Sequence, residues 1–349
     1  MPDTLNVSTP NTTCDEVSGS WTLFPIVSLF SLVIGATLNL AVLSAFARYS
    51  SLRNSFGVYL INILIIDLTI SVIYSPLTLL EQYFPTWTFG YPACVFRWYL
   101  AWVFENIIII AHLLIVLNRV WAVTFPFSYR TRHNTKLALL LCASSWAILN
   151  ILYIPTAIAT TVIVPAAVGN VTVQQCTLDT TAIGAWSPVS QLLLHDIPVL
   201  IVILSYPLVC YRSFFADRKA RVAPEAGTYR SIRIQRREVT PISREGPTVD
   251  PENPSAKAND KRVRLCGRVI QGSRTGFVTL TLMTLSVVVC LTPNEVYWTV
   301  VMMADVVVPE RIFETVVVLQ RITTIFDPLL VILGNSELRK LTAGLLRLP

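Results

Sequence analysis

The sequence predicts an all-α membrane protein, a seven-transmembrane helix bundle with a short amphipathic interfacial helix after the seventh span. Only 14% of the 349 residues are charged, against roughly 25% in a soluble domain, and the mean hydropathy is +0.59. The apolar residues gather into seven runs, each about as long as the roughly 20 residues that cross a bilayer. Within lipid only helices and closed barrels satisfy their own backbone polar groups. The runs are longer than the roughly ten-residue alternating strands of a barrel, so they are interpreted as helices.

The seven runs follow one another along the chain with polar segments between them. The expected spans are Phe24–Ala47, Phe56–Leu80, Ala93–Leu117, Leu137–Ile163, Trp186–Tyr211, Phe277–Met303 and Ile312–Leu333. The preceding segment, 1–23, is expected to be the extracellular N-terminus, and Met1 to Ser20 within it is polar and lacks the basic and apolar regions of a cleavable signal peptide. The first span is therefore expected to act as its own insertion signal, within a bundle over 24–334.

The distribution of positive charge predicts the orientation of the bundle. Most of the 27 Lys and Arg residues fall in alternate connections and in the C-terminal segment. Positively charged loops stay in the cytoplasm, so the N-terminus is expected outside a plasma-membrane protein that crosses the bilayer several times. Three glycosylation sequons, at Asn6, Asn11 and Asn170, lie on the side with few positive charges, as glycan acceptors require.

Two polar segments on the cytoplasmic side have different expected states. The third cytoplasmic loop, about 213–274, is rich in Arg, Pro, Glu and Ser and is expected to be a disordered, solvated linker. The C-terminal segment 335–349 alternates leucines with Arg339, Lys340 and Arg347, a pattern typical of a helix lying in the membrane interface. The net charge of +6 is thus mainly a signal of topology, and no nucleic-acid partner is predicted.

Short motifs occur in every span, in a fixed order. They are Gly35 and Asn39, Asn62 and Asp67, Trp87-Thr-Phe-Gly90, Cys94, Asn118-Arg119, Pro126, Trp146, Pro198 and Tyr206, Cys290-Leu-Thr-Pro293, and Asp327-Pro328. Together these motifs, spread over the chain from about Phe24 to Leu348, resemble those of the rhodopsin-like (class A) G-protein-coupled receptors. A single match is weak, and the set in order is specific.

This resemblance implies roles for several residues. It implies a disulfide between Cys94 and Cys176, both of which fall on the oxidising side where a bridge persists. It implies a sodium ion near Asp67 and no other cofactor. It also implies that Asp67 and Asp327 together form a conformational switch region. It also implies contact with a heterotrimeric G protein. That contact would involve Arg119, Tyr206 and Pro126.

The sequence departs from the family pattern at the positions that change conformation on activation in the family. Asn118 replaces the acid before Arg119, Leu291 replaces a tryptophan in the sixth span, and Val331 replaces a tyrosine in the seventh. Val287 and Ile108 replace a core phenylalanine and a sodium-site serine. Two interpretations stay open: a constitutively active or unusually coupled receptor, and a diverged member with compensating contacts.

Polar residues in the outer halves of four spans predict a ligand pocket. An isolated charge in hydrocarbon is costly, so these groups are expected to pair or to face water. One hypothesis is a pocket that orients a charged ligand, and the other is a Glu–Arg pair that ties helices together. The candidate pocket residues are Trp98, Ala101, Trp102, Glu105, His195, Glu295 and Arg321.

The resemblance also limits the ligand. Ala101 stands where aminergic receptors carry an Asp, and the seventh span has no Lys to form a Schiff base with retinal. A peptide and an acidic or lipid-like small molecule remain open.

The predicted function is a cell-surface receptor that binds an extracellular ligand and activates a heterotrimeric G protein. Phosphorylation for arrestin binding would use mainly Ser231, Thr240 and Ser243 of the third loop. The alternatives are a non-signalling scavenger, decoy or dimer partner of the same fold, and less favoured, a transporter or channel. No enzyme is predicted, because no nucleophile–base pair, metal motif or phosphate loop occurs in the sequence.

Overall fold

The computed structural model describes residues 23–84, 86–168, 171–222, 281–304, 306 and 309–345. Within these residues seven helices are long and apolar enough to cross a membrane, which confirms the predicted fold class. The spans are Leu23–Arg48, Ser55–Glu81, Gly90–Thr124, Thr135–Thr160, Trp186–Arg212, Thr281–Ala304 and Arg311–Gly334. The sequons at Asn6, Asn11 and Asn170 and the loop residues 223–274, with Ser231, Thr240 and Ser243, lie outside the described residues.

Shorter elements connect the spans. A 3-10 turn, Ser50–Leu52, precedes the second span, and the short helix Pro126–Arg132 follows the third. Strands β1 (Thr161–Val168) and β2 (Val171–Leu178) form an antiparallel hairpin between the fourth and fifth spans. The terminal helix, Ser336–Leu345, follows the seventh span where an interfacial helix was predicted.

The helix ends follow local chemistry rather than hydropathy alone. The side-chain oxygen of Asn54 accepts hydrogen bonds from the backbone N–H groups of Phe56 and Gly57 and caps the second span. The fourth span ends at Thr160, three residues before the expected end, because the β-branched run from Thr161 to Val164 continues as strand β1.

Four spans contain a π-helical turn. The turns are Ser31–Gly35, Ile70–Tyr74, Gln191–Asp196 and Val287–Leu291. A π turn adds one residue to a helical turn and shifts the faces on either side of it, and such turns often occur at functional sites. Here two of them carry residues of the site described below, Tyr74 and His195.

The third span lies at the centre of the bundle and is the most buried of the seven. Large apolar side chains on the outside of the bundle are exposed, including Ile151 at 71% and Leu204 at 70%. Such a surface needs lipid as its solvent.

Polar motif residues join the spans. The amide nitrogen of Asn39 donates to the backbone oxygens of Gly35 (2.9 Å) and Thr324 (2.8 Å), and so ties the first span to the seventh. The indole N–H of Trp146 donates to the Asn62 side chain at 3.1 Å and ties the fourth span to the second. The motif residues Asn39, Asn62 and Trp146 thus connect different spans and stabilise the bundle.

Candidate functional site

A disulfide bond and a backbone hydrogen bond link the hairpin to one end of the third span and to the loop before it. Cys94 and Cys176 form the expected disulfide. The loop before the span is held as well: the backbone N–H of Trp87 donates to Gln174 of β2 at 2.7 Å, and its indole N–H donates to the Gly90 carbonyl at 2.9 Å. This end of the bundle is called the Cys94 end. The other, 25 residues and about 37 Å further along the third span, is the Arg119 end.

A cavity of about 450 Å³ lies between the spans near the Cys94 end. Six of the seven predicted pocket residues line it: Trp98, Ala101, Trp102, Glu105, His195 and Arg321. Glu295 does not line it. Residues that the sequence did not indicate also line it, among them Tyr74, Glu81, Arg97, Gln191, Trp298 and Phe313. Arg97 could have been found, because it directly precedes Trp98 and has an acid, Glu81, at the end of the neighbouring span.

Glu295 belongs to a closed polar cluster beside the cavity. Its carboxylate lies 3.1 Å from His195 Nδ1 and accepts a hydrogen bond from the Gln191 amide at 3.2 Å. The other ring nitrogen of His195 lies 3.1 Å from the Tyr153 hydroxyl. These contacts join the fourth, fifth and sixth spans, so Glu295 is committed to protein partners.

Arg97 forms an ion pair with Glu81, between the third and second spans. Its guanidinium carbon also lies 3.8 Å from the centroid of the Trp98 ring. Its Nε and Nη1 atoms are buried and have no hydrogen-bond partner among the described residues. The ion pair leaves spare donors in the wall of the cavity.

Arg321 and Glu105 lie deeper and do not pair. The guanidinium carbon of Arg321 is 4.1 Å from the centroid of the Tyr74 ring, and its Nε is unpartnered. The ion pairs found within the described part of the chain do not include Arg321 or Glu105. Both residues also line a second, small cavity of about 20 Å³, large enough for about one water molecule. The Glu–Arg tie considered from the sequence is therefore not formed at Arg321.

A second polar cluster lies midway along the third span. His112 Nε2 is 3.3 Å from Asp327 Oδ2, and both side chains are fully buried. The Ser286 hydroxyl donates to the other carboxylate oxygen of Asp327 at 3.0 Å. Through Asp327 the third, sixth and seventh spans are joined.

Asp67 lies near this cluster and interacts electrostatically with Asp327. Both of its carboxylate oxygens are buried without a hydrogen-bond partner among the described residues. Unpartnered anionic oxygens of this kind fit a small hard cation. The residue present at Asp67 is thus compatible with the implied sodium ion.

At the Arg119 end, Asn118 bonds to the short helix and to the residue that follows it. Its amide nitrogen lies 2.8 Å from His133 Nε2, and its oxygen accepts a hydrogen bond from the Tyr129 hydroxyl at 3.3 Å. The His133 ring stacks on Tyr129 with 4.5 Å between centroids. Burial lowers the pKa of His133, and the nearby Arg119 guanidinium lowers it further.

The three residues predicted to contact a G protein have different surroundings. The Arg119 guanidinium carbon lies 3.4 Å from the centroid of the Phe56 ring. Pro126 occupies the first turn of the short helix, and Tyr206 is half-buried on the fifth span. Leu291 and Val331, which replace the tryptophan and the tyrosine of the family motifs, are fully buried in the apolar core.

The family model described as "7 transmembrane receptor (rhodopsin family)" matches residues 38–330. The muscarinic acetylcholine receptor gar-3 of Caenorhabditis elegans is 32% identical over 130 residues, 37% of this chain and 21% of that protein. The muscarinic acetylcholine receptor M3 of Bos taurus is 28% identical over 158 residues, 43% of this chain and 26% of that protein.

A third relative is similar over a longer stretch. The gastrin/cholecystokinin type B receptor of Canis lupus familiaris is 26% identical over 216 residues, 59% of this chain and 46% of that protein. The chain thus spans less than half the length of these relatives. Because the family model covers most of the chain, and because seven spans and the Cys94–Cys176 bridge accompany it, the chain belongs to the rhodopsin family of seven-transmembrane receptors.

Proposed function

We propose that this protein is a cell-surface receptor that binds an extracellular ligand in the cavity at the Cys94 end and activates a heterotrimeric G protein at the Arg119 end. The observation that carries the proposal is the cavity itself, about 450 Å³ in volume, whose lining includes arginine N–H groups without hydrogen-bond partners among the described residues. Its volume falls in the range of small-molecule sites, roughly 300–1,000 Å³. The proposed location is the plasma membrane, with the N-terminus outside.

The relatives agree with the receptor role and differ in ligand. The names of two of them specify acetylcholine, and the name of the third specifies gastrin and cholecystokinin. Acetylcholine is a permanent cation and needs an anionic or aromatic partner. Ala101 offers no such anion at the position where the resemblance would place it, whereas Glu105 and the tryptophans of the cavity offer an anion and aromatic rings. The relatives therefore support ligand binding in general and not one ligand.

The polar cluster at Asp327 gives the proposal a route between the two ends. It joins the third, sixth and seventh spans midway between the cavity and Arg119. A ligand that binds one arrangement of these spans better than another shifts their equilibrium by that difference in affinity. In this proposal Asp67 holds the sodium ion beside the cluster, and its bound charge favours one arrangement.

Basal signalling tests the proposal without knowledge of the ligand. We expect cells that express the receptor to show altered cAMP or calcium levels, and Arg119→Ala to return these to the level of untransfected cells. Arg130→Ala is the matched control, because Arg130 is an exposed arginine on the short helix. Equal surface expression of the three proteins must be verified by antibody. Silence toward every G-protein family, with or without candidate ligands, would overturn the proposal.

A non-signalling scavenger, decoy or dimer partner is the second candidate. The observation that favours it is the burial of Leu291 and Val331, which act as core packing where the family has switch residues. Receptor internalisation without second-messenger changes would distinguish this function from signalling. Arrestin recruitment, if it occurs, would involve the third loop.

A further inference from the structure

Two opposite charges face the cavity without a direct bond between them. Glu105 on the third span and Arg321 on the seventh line both the main cavity and the small one beneath it. They interact electrostatically, yet they form no ion pair within 4 Å. Charges that lack a direct partner in a low-dielectric interior are costly. A ligand that paired with both would remove this cost.

Other groups cannot supply the missing partners. Glu81 is taken by Arg97, and Glu295 is taken by His195 and Gln191. Glu105 and Arg321 are therefore two opposite charges at the base of the cavity that form no ion pair in the described part of the chain, although Arg321 contacts the Tyr74 ring. Nearer the Cys94 end, Glu314 also lines the cavity, about 10 Å from Arg321 along the seventh span.

Spare hydrogen-bond donors lie close to this pair. The indole N–H groups of Trp98 and Trp102 and the Arg97 Nε and Nη1 atoms are buried without partners, in side chains that line the cavity. For the two tryptophans, no hydrogen bond of the indole N–H group has to be broken when the side chain turns it toward a ligand. A carboxylate is the strongest acceptor that such donors could meet.

The walls above the pair are aromatic. Trp98, Trp102, Trp298 and Phe313 line the cavity, and aromatic walls bury an apolar body well. At its base the cavity therefore combines an acid and a guanidinium that form no ion pair, within an apolar enclosure. A ligand with a single charge would satisfy one of the two charged groups and repel or leave unpaired the other.

We infer that the ligand is a small zwitterion of the amino-acid or short-peptide class, whose ammonium group binds Glu105, whose carboxylate binds Arg321 and the nearby N–H donors, and whose apolar body packs on the tryptophans. This inference rests on the proposed function, because it assigns the ligand class of the same cavity. The ligand completes the ion pair that the protein leaves open.

Three probes with a phenylbutyl body and different charges, together with one dipeptide, test the inference. The three are 2-amino-4-phenylbutyrate (zwitterion), 4-phenylbutyrate (anion) and 4-phenylbutylamine (cation), and the dipeptide is Phe-Phe, a larger zwitterion in which the two charges lie further apart. Binding is measured as the rise of the thermal unfolding midpoint of the purified full chain in lipid nanodiscs. We expect a zwitterion to raise the midpoint by about 2 °C or more at millimolar concentration, and either singly charged probe to raise it less.

Variants of the two charged residues should change probe preference in opposite directions. Glu105→Gln should weaken zwitterion binding about tenfold and shift preference toward the anion, since a charged hydrogen bond is lost while Arg321 remains. Arg321→Gln should shift preference toward the cation. Arg311→Gln and Glu337→Gln are the controls, because both residues are exposed and outside the cavity lining.

A milder variant guards against misfolding. Trp102→Phe keeps one aromatic ring and removes the indole N–H together with the second ring, so it should weaken anion and zwitterion binding more than cation binding. If a singly charged probe binds wild type as tightly as both zwitterions do, the inference is wrong. Absence of binding by every probe would overturn it as well, and would leave a bridging water between Glu105 and Arg321.

The two zwitterions separate an amino acid from a short peptide, according to which one binds more tightly. Failure of this inference differs from failure of the proposed function, because the binding assay contains no G protein. Zwitterion binding without second-messenger signalling would retain the ligand class and reject the receptor mechanism. Signalling that depends on Arg119 without zwitterion binding would do the reverse.

Discussion

At the scale of single residues, the buried polar groups of this bundle fall into two kinds. Glu295, His112 and Asp327 have protein partners at 3.0–3.3 Å, and these contacts tie spans together. Glu105 and Arg321 line the cavity and form no direct pair. The first kind is expected to control stability, and the second kind ligand binding.

The contact between His112 and Asp327 permits a stability test. Replacement of His112 by Leu leaves a buried carboxylate with Ser286 as its remaining partner, and removal of one member of a buried pair costs about 3–5 kcal/mol. We expect His112→Leu to lower the thermal unfolding midpoint strongly. The double variant His112→Leu, Asp327→Asn should recover most of the loss, because the buried charge is gone.

The measurement is a double-mutant cycle on the purified protein, with Asp327→Asn as the fourth corner. A coupling energy near zero would show that the two side chains act independently. Basal second-messenger levels of the same variants would report whether this link also restrains signalling.

The sequence predicted the position of a polar residue where helical spacing alone determines it, and failed where an irregular turn determines it. The stripe Trp98, Ala101, Trp102 and Glu105 follows from helical spacing, and the structure places all four at the cavity. Glu295 was predicted to line the pocket and instead pairs with His195. The π turn over Gln191–Asp196 sets the rotation of His195, and the sequence pattern gives no sign of such a turn.

At the scale of elements, the hairpin is the part that the sequence did not predict. Thr161–Val164 is apolar, and by hydropathy it extends the fourth span. Its β-branched residues pair with β2, and the Cys94–Cys176 bridge holds that pairing against the third span. Leu178, the last residue of β2, lines the cavity. The hairpin is thus part of the site.

Removal of the bridge should affect both stability and the cavity. We expect Cys176→Ala to cost about 2–4 kcal/mol, as loss of a disulfide usually does, and to reduce surface expression and ligand response. Cys210→Ala is the control, since Cys210 is a free, half-buried cysteine. Thermal midpoints and surface staining measure the two effects. Equal behaviour of the two variants would mean that the hairpin holds its position without the bridge.

At the scale of the whole molecule, the bundle has two ends with different chemistry. One end carries the disulfide, the hairpin and the cavity, and the other carries Arg119, the short helix and most of the described basic connections. The motifs predicted this arrangement because they occupy fixed places along each span. The contacts at Asn118 were beyond prediction, since its partner His133 lies in a separate connection.

Sidedness is the corresponding prediction. An epitope tag placed before residue 1 should be stained by antibody on intact cells, because the positively charged connections remain inside. A tag after residue 349 should be stained only after permeabilisation. Loss of an N-glycosidase mobility shift in the triple variant Asn6→Gln, Asn11→Gln, Asn170→Gln would support the same orientation. Staining of the second tag on intact cells would reverse it.

The position of Arg119 over Phe56 has a consequence for time spent in each conformation. Asn118 offers no carboxylate, and none of the ion pairs among the described residues includes Arg119. A cation–π contact is worth about 0.5–2 kcal/mol, and about 1.4 kcal/mol corresponds to a tenfold change in population. With this contact as the main restraint on Arg119, a conformer in which Arg119 has left the Phe56 ring is less populated than the one in the structure by only a few-fold to about thirty-fold. Such a molecule would populate the conformer with Arg119 released even without a ligand. Its basal activity would then depend on a conformational equilibrium and not on a single strong ion pair.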